Sequence, residues 1–513
     1  MKKTLLILSI TLSSCSVAIG QIGVLDSNYN LNGIVTTSTS LDDDIGYSIA
    51  SQSDGKIIIV GSSDDDADYT IIRYNTDGSF DNSFGVNGVV THDINGKDDE
   101  ATDIILQPNG QFIIVGTTID NWSDAFFIAR YNANGSIDNS FGTSGITLIT
   151  DEDAQAHSVS LQTNGKILIC GDFSGFNHRE VIVARLNVDG SRDSTFGTNG
   201  FVTTTSSSSL YGMDSEIQPD GKIIIGGYTS TSPSNFALIR YNSDGTLDNS
   251  FGTMGIVTTD VNSNSLDNAY AVLLQSDGKI LLGGYSDNGT AQYDFSVVRY
   301  NTDGTIDITY GTNGIVLIDV NNNSTDYGRG MALLPNGKLI IAGYAHNAGA
   351  DFALVVLLSD GSLDTSFGTN GKVFTDIGGS WDKAYSIALT PDNKIVLGGY
   401  SNTNGDDEFT TARYISEFSI GIIDLSLKSN SLMIFPNPIL KSATLEYELS
   451  NKENLSMDVI NIKGEIVKSI FNNSTKQKGL HQEKINLSQL SKGTYILRLY
   501  NKNSQTNIKI IKK

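Results

Sequence analysis

The chain has 513 residues, 39% of them hydrophobic and 18% charged, enough apolar material for a large buried core. Its formal net charge of −23 is uneven: residues 428–513 hold 14 Lys/Arg against 6 Asp/Glu, a net of +8, which leaves −31 on the rest. A body that acidic repels nucleic acid and anionic membrane, which argues against both as partners.

The N-terminus reads MKKTLLILSITLSSCSVAIGQ. Two lysines, a short apolar run and the small-x-small site Ala18-Ile19-Gly20 predict residues 1–20 as a secretory signal cut before Gln21. Leu12-Ser13-Ser14-Cys15 supports a rival reading, a lipoprotein box that leaves Cys15 lipidated and membrane-held. After ordinary cleavage Cys170 is the single cysteine, and its apolar neighbours Ile167-Leu168-Ile169 predict a buried, inert thiol. No later run reaches the roughly 18–20 apolar residues of a membrane span.

With 52 glycines and 7 prolines between short apolar runs, the remainder reads as all-β. A turn of the type Asp54-Gly55-Lys56 recurs seven times, with central residues 55, 110, 165, 221, 278, 337 and 393. Asp-Gly and Asn-Gly between apolar runs are hairpin signals, because both residues accept positive φ. Each unit of about 56 residues parses into four short strands, a to d, with a long turn such as Ser243–Met254 between c and d. The seventh unit stops after strand c at Thr411-Ala-Arg413-Tyr414. The missing piece opens the chain: Asp26, Tyr29, Asn32 and Gly33 match Asp81, Phe84, Asn87 and Gly88. The expectation is a seven-bladed β-propeller over residues 21–418, its last blade closed by the N-terminal strand. Phrases such as IRYNSDGTLDNSFGTMGIVTTD resemble the delta-60 repeat family of propeller-like bacterial surface proteins, over roughly residues 24 to 418. In the sixth unit Leu357-Leu358-Ser359 replaces the usual Arg-Tyr-Asn.

Beyond a linker at 419–430, residues 431–513 show alternation in Val459–Ile462 and Tyr495–Leu499, which predicts a small β-sandwich. Its landmarks are Phe435-Pro436-Asn437-Pro438, Gly464, Gly493, Tyr495 and the basic end Lys512-Lys513. In that order they resemble the C-terminal sorting domain of the bacterial type IX secretion system. The resemblance implies export through that machinery to the surface or medium, and attachment to lipopolysaccharide or release. An ordinary binding sandwich is the alternative.

The rim formed by the d–a and b–c loops varies from unit to unit, whereas the rim of the Asp-Gly-Lys turns repeats. Variation on a rigid frame is where recognition sits, so an extracellular glycan or protein is the expected ligand there. Eight residues before each turn centre stand Tyr47, Thr102, His157, Met213, Tyr270, Arg329 and Tyr385, candidates for ligand contact or for packing between blades. Trp122 and Trp381 fall in variable loops. Two acidic series flank this rim. Asp68, Asp124, Glu180, Asp294, Asp351 and Glu408 precede strand c, and Asp44, Asp99, Asp267, Asp326 and Asp382 precede strand a. They suit either Ca²⁺ or the capping of loop N–H groups. The turn Asn75–Asp81 looks like half a calcium loop, but Arg73 at the first ligand position favours a plain turn. The five histidines show no metal-ligand spacing, and no nucleophile elbow, phosphate loop or CxxC occurs, so no catalytic residue is assigned. A hydrolase or lyase at the channel mouth and a cation-stabilised structural protein stay as alternatives.

Overall fold

The computed structural model describes residues 22–416 and 433–513, apart from 41, 64–67, 121–122, 151–152, 175–178, 207–208, 231, 291, 322–323, 347–348, 379–380, 404, 450, 462–465 and 502–504. The expected signal segment with Cys15, the linker 419–430, Trp122 and Gly464 lie outside the described residues. Two compact units separate at residue 418.

In the first unit each repeat is a four-stranded antiparallel sheet, and seven such blades make a β-propeller. Blade 1 runs Asp44–Ser51, Ile57–Ser63, Asp68–Tyr74 and Val89–His92 as strands a to d. Strand b opens on an unbroken apolar run because both faces are covered: Ile57, Ile58, Ile59 and Val60 are each 0% exposed. Neighbouring blades share their cores, as where Ile113, Val115, Phe126 and Ile128 pack on Ile167, Ile169, Ile182 and Ala184. Each such aliphatic chain stabilises by about 1.5–3 kcal/mol when buried, so a lone blade would forfeit most of its core. Cys170 is fully buried in one of these seams, and burial pushes its thiol well up. In the b-strand hairpins Gly55 takes φ +84°, and in blade 7 Asn393 takes φ +62° in its place.

The repeated Lys, Arg, Asp and Phe lock the turns. In blade 4, Arg240 Nε donates to Asp248 Oδ2 at 2.8 Å and Lys222 Nζ lies 3.0 Å from the same oxygen. The guanidinium sits 4.3 Å over the Phe251 ring and donates through its other arm to the Thr302 carbonyl of blade 5. Arg73, Arg130, Arg185 and Arg299 repeat this clamp in their blades. The Asn75–Asp81 segment is therefore a turn, with Asp77 accepting from Ser79 N–H and Oγ–H and Asp81 held by Arg73.

Blade 7 draws its last strand from the N-terminus. Ile34–Thr37 pairs with Asp407–Tyr414 in strand d position, Ile34 opposite Ala412 and Thr37 opposite Phe409. Asp26 and Tyr29 complete the clamp on Arg413, which reaches on to the Thr76 carbonyl of blade 1. In blade 6 the departure begins one position earlier than the sequence reading put it. Leu357 faces Leu339 as Tyr74 faces Ile57, so Val356 occupies the arginine position, and Asp364 pairs with Lys338 at 2.7 Å.

The second unit is a β-sandwich. One sheet orders Met433–Phe435, Ser442–Leu449 and Gly479–Asn486. The other orders Ile466–Lys476, Glu453–Asn461, Gly493–Tyr500 and Gln505–Lys512. Ala443, Leu445, Tyr447 and Leu449 alternate into a core with Leu455, Met457, Val459, Leu497 and Leu499. Asn437 Oδ1 accepts the Ile511 N–H at 2.9 Å and Lys513 N–H reaches the Ile439 carbonyl at 3.0 Å, which ties the Pro-Asn-Pro segment to the basic end.

Candidate functional site

Strand a slips register once in every blade, and each slip leaves one residue out of the ladder. The seven skipped residues are Tyr47, Thr102, His157, Met213, Tyr270, Arg329 and Tyr385. A β-bulge re-aims the extra side chain. Here all seven line one cavity of about 180 Å³ formed by the innermost strands. Glycine in strand b permits the bulge. A Cβ on Gly61 would lie 1.8 Å from the Ile45 carbonyl oxygen, and one on Gly343 1.9 Å from that of Tyr327. That strand-interior glycine, present in every unit, was the sequence signal for a bulge and its re-aimed neighbour.

The cavity wall has two chemically distinct sectors. Through blades 5, 6, 7 and 1 it is aromatic. Tyr270 stacks on Tyr285 at 5.7 Å and Tyr47 on Tyr385 at 5.8 Å, with Arg329 4.2 Å over Tyr270 and 5.6 Å from Tyr385. Tyr228, Tyr285, Tyr344 and Tyr400 extend this belt from the ends of strand b, in the repeated Gly-Tyr step, and sequence reasoning missed them. Trp381 stands on the rim, 45% exposed, beside His346 at 5.6 Å and under Lys383 at 5.1 Å.

Through blades 2 to 4 the wall is acidic and polar apart from Met213. His157 Nε2 lies 2.7 Å from Asp172 Oδ1, whose other oxygen takes Arg179. Thr102 spends its hydroxyl on the Ala156 carbonyl at 2.8 Å. One residue past the bulge, Asp103 accepts from Ser48 Oγ–H and from the Val159 N–H, each at 2.8 Å, and so ties blades 1, 2 and 3. Asp214 likewise accepts from Ser158 and from the Val272 N–H. Burial pushes Asp103 up to about 6 and Asp214 up to about 7, against those hydrogen bonds. Beside this wall, Glu100, Asp124, Gln155 and His157 line an adjoining pocket of about 310 Å³.

The two acidic series meet at the seams between blades. Asp44, Asp99, Asp267, Asp326 and Asp382 are buried, and each accepts a loop N–H, from Thr39, Ile94, Val261, Val320 and Ile377. Among the described residues, at three seams the member before strand c joins them with a third carboxylate just after strand d. These triads are Asp68/Asp93/Asp99, Asp294/Asp319/Asp326 and Asp351/Asp376/Asp382, with ligand oxygens all within 4.8 Å. Such a donor set suits a hard cation. Asp93, Asp319 and Asp376 share with Asp260 the position just after strand d, a recurrence that sequence reasoning missed. Asp124 instead accepts from Gln155 Nε2 at 2.8 Å, and Glu408 from Thr403. A wider groove of about 930 Å³ runs along strand d of blade 2, but turn residues line it.

The domain of unknown function DUF5122 β-propeller family matches this chain seven times, at residues 52–84, 107–141, 162–196, 218–251, 275–310, 334–367 and 390–414. The secretion system C-terminal sorting domain family matches residues 433–513. That domain directs export by type IX secretion to the cell surface or extracellular space, and it is the part that engages the secretion machinery. No curated protein matches the chain. Among solved structures, a protein of unknown function from Dyadobacter fermentans is 12% identical, with a TM-score of 0.41, over 75% of this chain and 98% of its own. An ulvan lyase of a new polysaccharide lyase family is 13% identical, with a TM-score of 0.42, over 75% and 96%. A gluconolactonase from Xanthomonas campestris is 10% identical, with a TM-score of 0.31, over 59% and 90%.

Proposed function

We infer that this member of the DUF5122 β-propeller family, exported by its sorting domain, is a binding protein that takes an extracellular glycan at its channel mouth. One observation carries the reading. Seven bulged residues from seven blades converge on a single cavity, and four adjacent ones, Tyr270, Arg329, Tyr385 and Tyr47, make a continuous aromatic wall. Flat rings with polar tips give sugars an apolar face to stack on and hydroxyls to bond. The exposed Trp381 extends that surface onto the variable rim. An array of glycans and extracellular proteins probed with the exported protein tests this: binding to proteins alone, or to nothing, counts against it.

A hydrolase or lyase is the second reading, supported by Asp103 and Asp214, whose raised carboxyls line the same cavity. Their oxygens are already engaged by backbone N–H groups and serines of neighbouring blades, a structural employment that leaves them poorly placed for proton transfer. Turnover on a polysaccharide panel would establish this alternative. The carboxylate triads support a third reading, a cation-stabilised surface protein, which a melting temperature lowered by chelation would favour.

A further inference from the structure

We propose that Arg329 is the recognition point for an oxyanion carried by a saccharide unit, a uronate carboxylate or a sulfate ester. The proposal rests on the glycan reading above and adds the charge of the ligand.

The propeller's arginines are otherwise spoken for. Arg73, Arg130, Arg185, Arg240, Arg299 and Arg413 are each clamped by an aspartate within 2.9 Å. Arg329 has no carboxylate within ion-pair distance among the described residues. One arm donates to the Tyr344 hydroxyl at 3.2 Å, and Nε is shut off from solvent without any hydrogen-bond partner. Faces of Tyr270, Tyr385, Tyr344 and Tyr285 lie within 6.0 Å of the guanidinium. Ring faces hold a cation by their quadrupole but do not satisfy its N–H groups. A half-buried guanidinium held only by ring faces and one tyrosine hydroxyl is an unfinished ion pair, and a carboxylate or sulfate that reaches its terminal N–H groups completes it with charge-assisted hydrogen bonds.

The bulge directs this group into the cavity, where a ligand meets it. The facing wall decides what else the ligand carries. Asp103 and Asp214, held between blades, line the cavity with Ser48, Ser158 and Ser386, so it presents carboxylates and hydroxyls and no second free cation among the described residues. Sugar hydroxyls supply donors to such a wall while the ring stacks on tyrosine. A second anion on the same unit would meet like charge. The fit is to a singly charged saccharide unit and not to a dense polyanion.

Calorimetric titration of the exported protein tests this with three probes: a glucuronyl-glucose disaccharide, the matching glucosyl-glucose disaccharide and the sulfate ester of the latter. At least one acidic probe should bind about ten-fold or more tighter than the neutral one, a difference of about 1.4 kcal/mol. The tighter of the two names the oxyanion. Arg329→Met should bring the ratio to about one, and Arg329→Gln should do the same if the Met variant fails to melt cooperatively. Equal affinity for all three probes, or a ratio that survives both variants, overturns the proposal and leaves the glycan reading standing. No binding of any saccharide overturns both. Arg329-dependent capture of a glutamate-bearing peptide in place of the sugars overturns the saccharide class.

Discussion

Arg413 of the seventh blade donates from Nε to Asp26 Oδ2 at 2.9 Å, across 387 positions of sequence. Lys394 adds its ammonium to the same oxygen at 3.0 Å, and the guanidinium lies 4.4 Å over Tyr29. The contact repeats, with residues from the far end of the unit, the clamp that Arg240, Asp248 and Phe251 make within one blade. Ring closure therefore reuses the chemistry of the repeat itself.

Removing that carboxylate leaves the buried Arg413 guanidinium without its counter-ion, beside the partly exposed Lys394. Asp26→Ala should lower the unfolding free energy by about 3–5 kcal/mol, the usual cost of breaking a buried pair by deleting one partner. Chemical denaturation followed by circular dichroism measures it, and an unchanged midpoint would mean the N-terminal strand does not lock the ring.

Blade 6 provides an internal control for the clamp. Asp364 pairs with Lys338 but faces Val356 where other blades carry arginine. Asp364→Ala should therefore destabilise clearly less than Asp248→Ala, whose loss leaves the buried Arg240 without its counter-ion. Equal losses would show that lysine alone provides the stabilisation.

Stability should peak at mildly acidic pH. Burial pushes Asp99 up to about 7 and Asp294 and Asp351 up to about 6, so the folded state holds protons that the unfolded chain releases near pH 4. Folding is then weakened as pH rises from about 4 to about 7. Asp138 has the opposite sign: burial raises it, but Ser140 and Arg130 outweigh that and hold it to about 2. Asp81, Asp193 and Asp248 lie lower still, each against burial, under their lysine, hydroxyl and arginine partners. What these groups contribute is present above about pH 4 and lost as pH falls below it. Melting temperature should rise from about pH 3 to a maximum near 5 and decline towards 8. Asp99→Asn should flatten the alkaline limb, and a melting curve flat above pH 5 in the unaltered protein would contradict this account.

Tyr270→Ala and Tyr385→Ala should weaken glycan binding by about ten-fold each, a stacking loss of roughly 1–2 kcal/mol. Because bulged residues stand outside the ladder, the melting temperature should move little. Loss of fold with loss of binding would reassign these rings to packing between blades.

Cys170 should resist maleimide in the folded protein and react only on unfolding, since it is fully buried and its thiol is held well above its ordinary range. Fast labelling under native conditions would contradict its place in the seam.

The repeat, its count, and the return of the N-terminus to the last blade were all legible in the chain, because each rests on signals a few residues long. Asp-Gly turns, strand-length apolar runs and the Asp26/Tyr29 match to Asp81/Phe84 are local facts that recur at fixed spacing. So were the seven channel positions and the alternation that packs Ala443, Leu445, Tyr447 and Leu449 inward. Tertiary structure decided what those positions do. The bulge opposite each strand-b glycine turns Tyr270 and Arg329 into the cavity, an outcome set by a backbone approach between strands. The tyrosine belt and the carboxylate triads reach across blade boundaries, as Tyr344 does to Tyr385 and Asp68 to Asp99, and Arg329 lies over Tyr270 of the preceding blade. Local patterning fixes which strands form and in what order. Which charges meet, and which is left without a counter-ion, depends on how adjacent blades are stacked, and no stretch of one repeat encodes that alone.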